Sequence, residues 1–122
     1  MTTTPHTTQS LDSTLRLAFA ERDAAALAGL YADDAEIEIV DAQHQPSSPQ
    51  RLKGRDAIRA HLDDVMGRDM THEVDIVVVG GDAVGYSLRC TYADGTRVVC
   101  AATAQLADGK IAREVGVQAW DS

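Results

Sequence analysis

Aromatic residues are scarce in this chain: one Phe, one Trp and three Tyr among 122 residues. Any cavity it encloses must therefore be walled mainly by aliphatic side chains. No apolar run approaches the roughly 20 residues that a membrane-crossing helix needs. Residues 1–10 are polar and Thr-rich, without the basic start and apolar centre of a signal peptide, so a cytoplasmic setting is expected. Basic residues are outnumbered, 11 Lys and Arg against 19 Asp and Glu, and the net charge is −8. Phosphate backbones and anionic bilayers require a basic face, so nucleic acid and membranes are excluded as partners. Only Cys90 and Cys100 are present, with no CxxC, which excludes zinc-ribbon sites. The histidines and carboxylates match no metal-ligand spacing, and no metal is expected. A nucleotide fingerprint, a phosphate loop and a Ser-His-Asp arrangement are all missing, and no cofactor is expected.

What is present is the composition of one ordinary globular domain, with 44% hydrophobic and 25% charged residues. Residues 1–10 read as a flexible tail and 11–122 as the domain. Leu11, Leu15, Ala18, Phe19 and Arg22 share one face of a first helix. Asp23 reads as the N-cap of a short second helix over 24–31, with Leu27, Leu30 and Tyr31 inward and Asp33-Asp34 as the closing turn. Residues 36–40 alternate, with Ile37 and Ile39 on one side, and the same period puts Asp41 on that side. The Pro-broken stretch 42–53 reads as a lid loop. A third helix over 55–66 carries Ile58, Leu62, Val65 and Met66 in a stripe that includes His61.

The remainder reads as a β meander over 71–79, 83–92, 96–106 and 111–120. Its turns are Gly80-Gly81-Asp82, Asp94-Gly95 and Asp108-Gly109. The order ααβαββββ predicts an α+β fold: a strongly curved, mostly antiparallel sheet, three helices over its concave face, and a ligand cavity between them. Cys90 and Cys100 fall on neighbouring strands at even spacing. They read as small buried hydrophobes, with a disulfide as the alternative.

Three stretches resemble the SnoaL-like branch of the NTF2-like superfamily, as a set rather than singly. They are Asp23-x-x-x-Leu27-x-x-Leu30-Tyr31-Ala32-Asp33-Asp34-Ala35, Leu52-x-Gly54-Arg55-x-Ala57-Ile58-Arg59 and Asp108-Gly109-Lys110-Ile111. The resemblance covers about 11–120. It implies a cone-shaped barrel with an apolar cavity and a homodimer through the outer sheet face. Relatives of this kind include ketosteroid isomerases, polyketide cyclases, limonene-type epoxide hydrolases and scytalone-type dehydratases. The isomerase positions for a Tyr, a base and a second Asp fall here on Leu15, Ile39 and Ala102, so steroid isomerisation by that mechanism is not expected. The Arg-x-Asp of the epoxide hydrolases is replaced by Arg89-Cys90-Thr91 and Arg97-Val98-Val99.

The chemistry left to this cavity is acid–base. Asp41 is the expected base, its pKa raised by an apolar setting, with His61 or His72 as partner acid. His72 is expected to share a face with Val74, Ile76 and Val78. Tyr31 and Tyr86 are candidate hydroxyl donors and His44 a lid partner for Asp41. Ile39, Ala102, Gln118 and Trp120 complete the expected ligand contacts, whereas strand parity turns Arg89 outward. The expected function is a cofactor-free isomerase, cyclase or dehydratase acting on an apolar carbonyl-bearing small molecule. The alternative is a non-catalytic ligand-binding or dimeric interaction module.

Overall fold

The structure, a computed structural model, describes residues 6–121, with side chains from residue 11 onward. Helix α1 (His6–Ala20) buries Leu11, Leu15, Ala18 and Phe19, the four apolar positions that its sequence spaces along one face. Residues 6–10 thus open a helix rather than ending a tail, and residues 1–5 of the expected tail lie outside the described residues. Asp23 caps α2 (Ala24–Ala28), its carboxylate accepting from the Ala26 N–H at 3.0 Å.

The second helix stops at Gly29, and Tyr31 already begins strand β1 (Tyr31–Val40). The helical reading of Leu30 and Tyr31 and the turn at Asp33-Asp34 are therefore corrected. Pairing decides the matter: the Ile111 N–H donates to the Leu30 carbonyl at 2.8 Å, and Tyr31 sits opposite Ile111. A second correction follows in 42–53. Its last residues form an edge strand, β2 (Gln50–Lys53), antiparallel to β1 with Leu52 opposite Ile37. Gly54 then leads into α3 (Arg55–Met66) at φ 89°, a left-handed value that glycine takes at little cost.

The meander follows as β3 (Met70–Gly80), β4 (Ala83–Tyr92), β5 (Arg97–Ala107) and β6 (Lys110–Trp120). One six-stranded curved sheet results, in the order β2-β1-β6-β5-β4-β3, antiparallel except where β1 meets β6. This is the expected α+β class, with β2 added to the expected order. The helices cover the concave face through Leu15, Leu27 and Ile58, which are fully buried with Ile111 and Val84 of the sheet. Among the described residues no helix is long and apolar enough to cross a membrane.

Two strand irregularities decide what faces inward. In β3 the register slips by one between Val74 and Val77, because three steps on β3 oppose two on β4. His72 and Val74 therefore face in, but Ile76 and Val78 are exposed on the outer face, which corrects the expected single row. In β6 one extra residue, Ala112, lies between the partners of Leu106 and Gln105. Ile111 and Glu114 are both buried as a result, although an unbroken strand would point them to opposite faces.

Candidate active site

A cavity of about 570 Å³ lies between the helices and the concave sheet face, a size typical of small-molecule sites. Asp41, His61 and His72, expected to act as acids and bases, all line it. So do Tyr31, Ile39, His44, Tyr86, Ala102, Gln118 and Trp120. Leu15 does not reach it and is buried core, whereas Ile39 and Ala102 lie on the wall as apolar surface.

The polar centre of the cavity is Glu114 on β6, which sequence reasoning missed. Its carboxylate is buried, and Oε1 accepts from the Tyr31 hydroxyl at 2.9 Å and the Tyr86 hydroxyl at 3.1 Å. Neither bond uses Oε2. Three strands supply the group: β1 begins with Tyr31, β4 carries Tyr86 inward, and the extra residue in β6 turns Glu114 toward both. Burial pushes the Glu114 carboxyl above its ordinary range, and the two phenol hydrogen bonds offset only part of that rise. Burial, reinforced by the carboxylate beside them, drives both phenols well above theirs, so each remains a donor at neutral pH. The signal for Glu114 was parity. Gln118 and Trp120 were expected on the cavity side, and counting back in twos reaches Gly116 and Glu114.

Asp41 lies at the mouth and does not behave as expected. Partial burial would raise its pKa, but hydrogen bonds from His44 and from the Gln43 N–H outweigh that and lower it. Its Oδ1 lies 2.8 Å from His44 Nδ1 and 2.9 Å from the Gln43 nitrogen. The raised-pKa base expected at Asp41 is thus replaced by a low-pKa carboxylate clamped in a turn. His61, half-buried on α3, is held below its usual pKa by burial and by the Arg68 charge, against a smaller pull from Asp64. Trp120 packs against Tyr92 with ring centroids 5.7 Å apart and donates to Gln118 Oε1 at 3.0 Å, closing the C-terminal edge of the mouth.

The third polar group lies on β3, β4 and β5. His72 stands directly opposite Cys90, and its Nδ1 is 3.3 Å from the Cys90 sulfur. Cys100 of β5 pairs with Leu88, diagonally across from Cys90, and both cysteines are free thiols on the cavity wall. Cys90 is a small buried core residue, as expected, and Cys100 packs half-buried against the core, while Cys90 in addition touches His72. Arg89 points away and pairs with Asp75 at 3.1 Å on the outer face. Among the described residues no cluster of His, Cys, Asp and Glu is arranged to hold a metal ion.

A curved, mostly antiparallel sheet wrapped over three helices is the architecture of the NTF2-like fold. The chain belongs to the SnoaL-like family, whose domain model matches residues 13–114. Solved structures agree on the fold. An NTF2-like protein of unknown function from Mesorhizobium loti superposes with a TM-score of 0.78 at 23% identity, covering 93% of this chain and 92% of that one. A candidate ketosteroid isomerase from Kribbella flavida gives 0.76 at 20% identity, over 96% of this chain and 79% of that one. A candidate polyketide cyclase from Sinorhizobium meliloti gives 0.67 at 21% identity, over 88% and 93%. At these identities the likeness carries the fold alone. No curated protein matches the chain.

Proposed function

We propose that the chain is a cofactor-free isomerase or cyclase that moves a proton on an apolar, carbonyl-bearing small molecule, with Glu114 as the transferring group. The observation that carries this reading is the Tyr31–Glu114–Tyr86 arrangement. A buried carboxylate of raised pKa is a better base than a solvated one, and two phenols fix its orientation. Oε2 takes the proton from the carbon next to the carbonyl. Once protonated, Glu114 is a weaker acceptor at Oε1, and a released phenol can turn to the enolate oxygen. Returning the proton to a different carbon isomerises the substrate, and attack of the enolate on a second carbonyl closes a ring. Asp41 and His44 order the mouth in this reading, and His61 is a neutral wall residue beside the ligand. The names of the Kribbella and Sinorhizobium structures, an isomerase and a cyclase, agree with this class of chemistry.

The test is hydrogen exchange. Cyclic enones and β-diketones are incubated with the protein in deuterium oxide and followed by NMR. Catalysed exchange is expected, falling by about 100-fold or more in Glu114→Gln. Exchange that survives this substitution assigns the base elsewhere. Binding without any exchange by the wild type supports the non-catalytic ligand-binding alternative.

A homodimer through the outer sheet face is part of the same proposal. Ile76, Val78, Val99 and Val117 stand exposed there, in a row of small and β-branched neighbours that one copy can present to another across a two-fold axis.

A further inference from the structure

We propose that Cys90 and His72 form a second reactive centre in the cavity, which captures an α,β-unsaturated carbonyl compound as a thioether on Cys90. The centre shares the cavity with Glu114 but does not depend on Glu114 as a base.

Geometry carries the inference. Cys90 and His72 are a direct cross-strand pair whose side chains meet at 3.3 Å, and both are buried on the cavity wall. A thiol needs an adjacent base or cation to become a nucleophile, and His72 is placed as one. Nε2 of His72 is buried without a partner among the described residues. The ring is held by its contact with Cys90 and packs against Phe19, whose ring centroid is 6.1 Å away. An imidazole kept in place against its own hydrogen-bonding needs is a positioned one. Cys100 lies diagonally across from Cys90 on β5. His72 touches Cys90 and not Cys100, so the base stands beside Cys90 alone among the described residues.

The titrating groups around Cys90 agree with this. β3 presents His72 and β5 presents Cys100, while α1 contributes the apolar Phe19. Glu114 of β6 and Tyr86 are hydrogen-bonded to each other, and His61 and Arg68 line the same cavity. The neighbouring Cys100 thiol is the largest influence on Cys90. With the His72 contact it outweighs burial and lowers the thiol to about 5, while Cys100 is raised in return.

The reaction balances without an added oxidant or reductant. The Cys90 proton passes to His72 Nδ1, and the sulfur bonds to the β-carbon of the unsaturated carbonyl. The C=C electron pair moves onto the carbonyl oxygen. The proton on His72 then goes to the α-carbon as the carbonyl re-forms. The net change is addition of S–H across the double bond.

The lowered pKa predicts a profile rather than a large rate. At pH 6.5 a thiol near 5 is about 300-fold more ionised than one at 9.0. Lower basicity gives back roughly 60-fold in nucleophilicity, leaving a gain of about five-fold. The full-length protein, isolated under reducing conditions and desalted, is incubated with 2-cyclohexenone from about pH 5 to 9 and analysed by intact and peptide mass spectrometry. One adduct is expected, on Cys90, at a rate flat above about pH 6.5. Cys90→Ser should abolish it, and Cys100→Ser should keep it but move the rise to higher pH. Glu114→Gln should still form the adduct, which separates this centre from the proton-transfer reading. Adduct on Cys100, a Cys90 rate that keeps climbing through pH 8.5 like a free thiol, or no adduct on the folded chain would overturn the proposal.

Discussion

Tyr31 and Glu114 stand 83 positions apart in sequence and 2.9 Å apart in space, the phenol donating to Oε1 where parallel strands β1 and β6 meet. Tyr86 reaches the same oxygen from β4. The donors and the acceptor come from three strands, so the site exists only when the sheet is assembled.

The buried carboxyl makes stability depend on pH. Glu114 is held above its ordinary value of 4.5, so the folded chain binds that proton more tightly than the unfolded one. The resulting stability is full below 4.5 and is lost as pH rises through the raised folded value. Asp41 contributes with the opposite sign, losing its stabilisation as pH falls through its lowered value. Urea unfolding of wild type and Glu114→Gln over a pH series isolates the Glu114 part, because Asp41 is common to both. The wild type should lose ground against the variant as pH climbs out of the carboxylate range. Parallel curves would show that Glu114 ionises normally.

Gly116 offers a way to fill the cavity without disturbing the fold. It lies on the wall two residues from Glu114, and a Cβ built there would meet no atom within 4 Å. A β-branched side chain also suits a strand better than glycine. Gly116→Val should keep or raise Tm while weakening a cavity ligand by about ten-fold or more. Fluorescence titration with anilinonaphthalene sulfonate reads the second effect and thermal unfolding the first. Unchanged affinity would mean that the probe binds elsewhere.

The outer face predicts an oligomer that one charge can undo. Val117 is 50% exposed, between Ala101 of β5 and Val40 of β1. Burying a valine is worth about 1.5–3 kcal/mol, and an unpaired carboxylate in its place reverses the sign. Light scattering should give twice 13.0 kDa for the wild type and 13.0 kDa for Val117→Glu. A wild-type particle of 13.0 kDa would refute the dimer.

The sequence was most legible where local chemistry repeats. The strand Ala83–Tyr92 and the helix Arg55–Met66 were readable with their observed bounds, because alternation, an apolar stripe and glycine turns all agree there. The start of β1 was not, because Leu30 and Tyr31 continue an apolar helical stripe and only the distant Ile111 draws them into the sheet. β2 was missed because four residues beside prolines show no period. At the site, alternation put Asp41 on the side of Ile39, but the turn at 41–44 that lowers its pKa leaves no periodic trace. Glu114 was hidden by Ile111: a count forward from that core residue assigns the carboxylate to solvent, and one supernumerary alanine makes the count wrong.

The bulge at Ala112 therefore holds two surfaces in phase. Beyond it, Glu114, Gly116, Gln118 and Trp120 belong to the pocket, while Val117 and Ala119 belong to the convex side. Straightening the strand with every residue kept would exchange the two sets, turning the carboxylate outward and valines into the ligand space, whereas deleting Ala112 would leave both faces as they are. The bulge, rather than any side chain, thus decides at once which residues line the pocket and which form the outer contact surface.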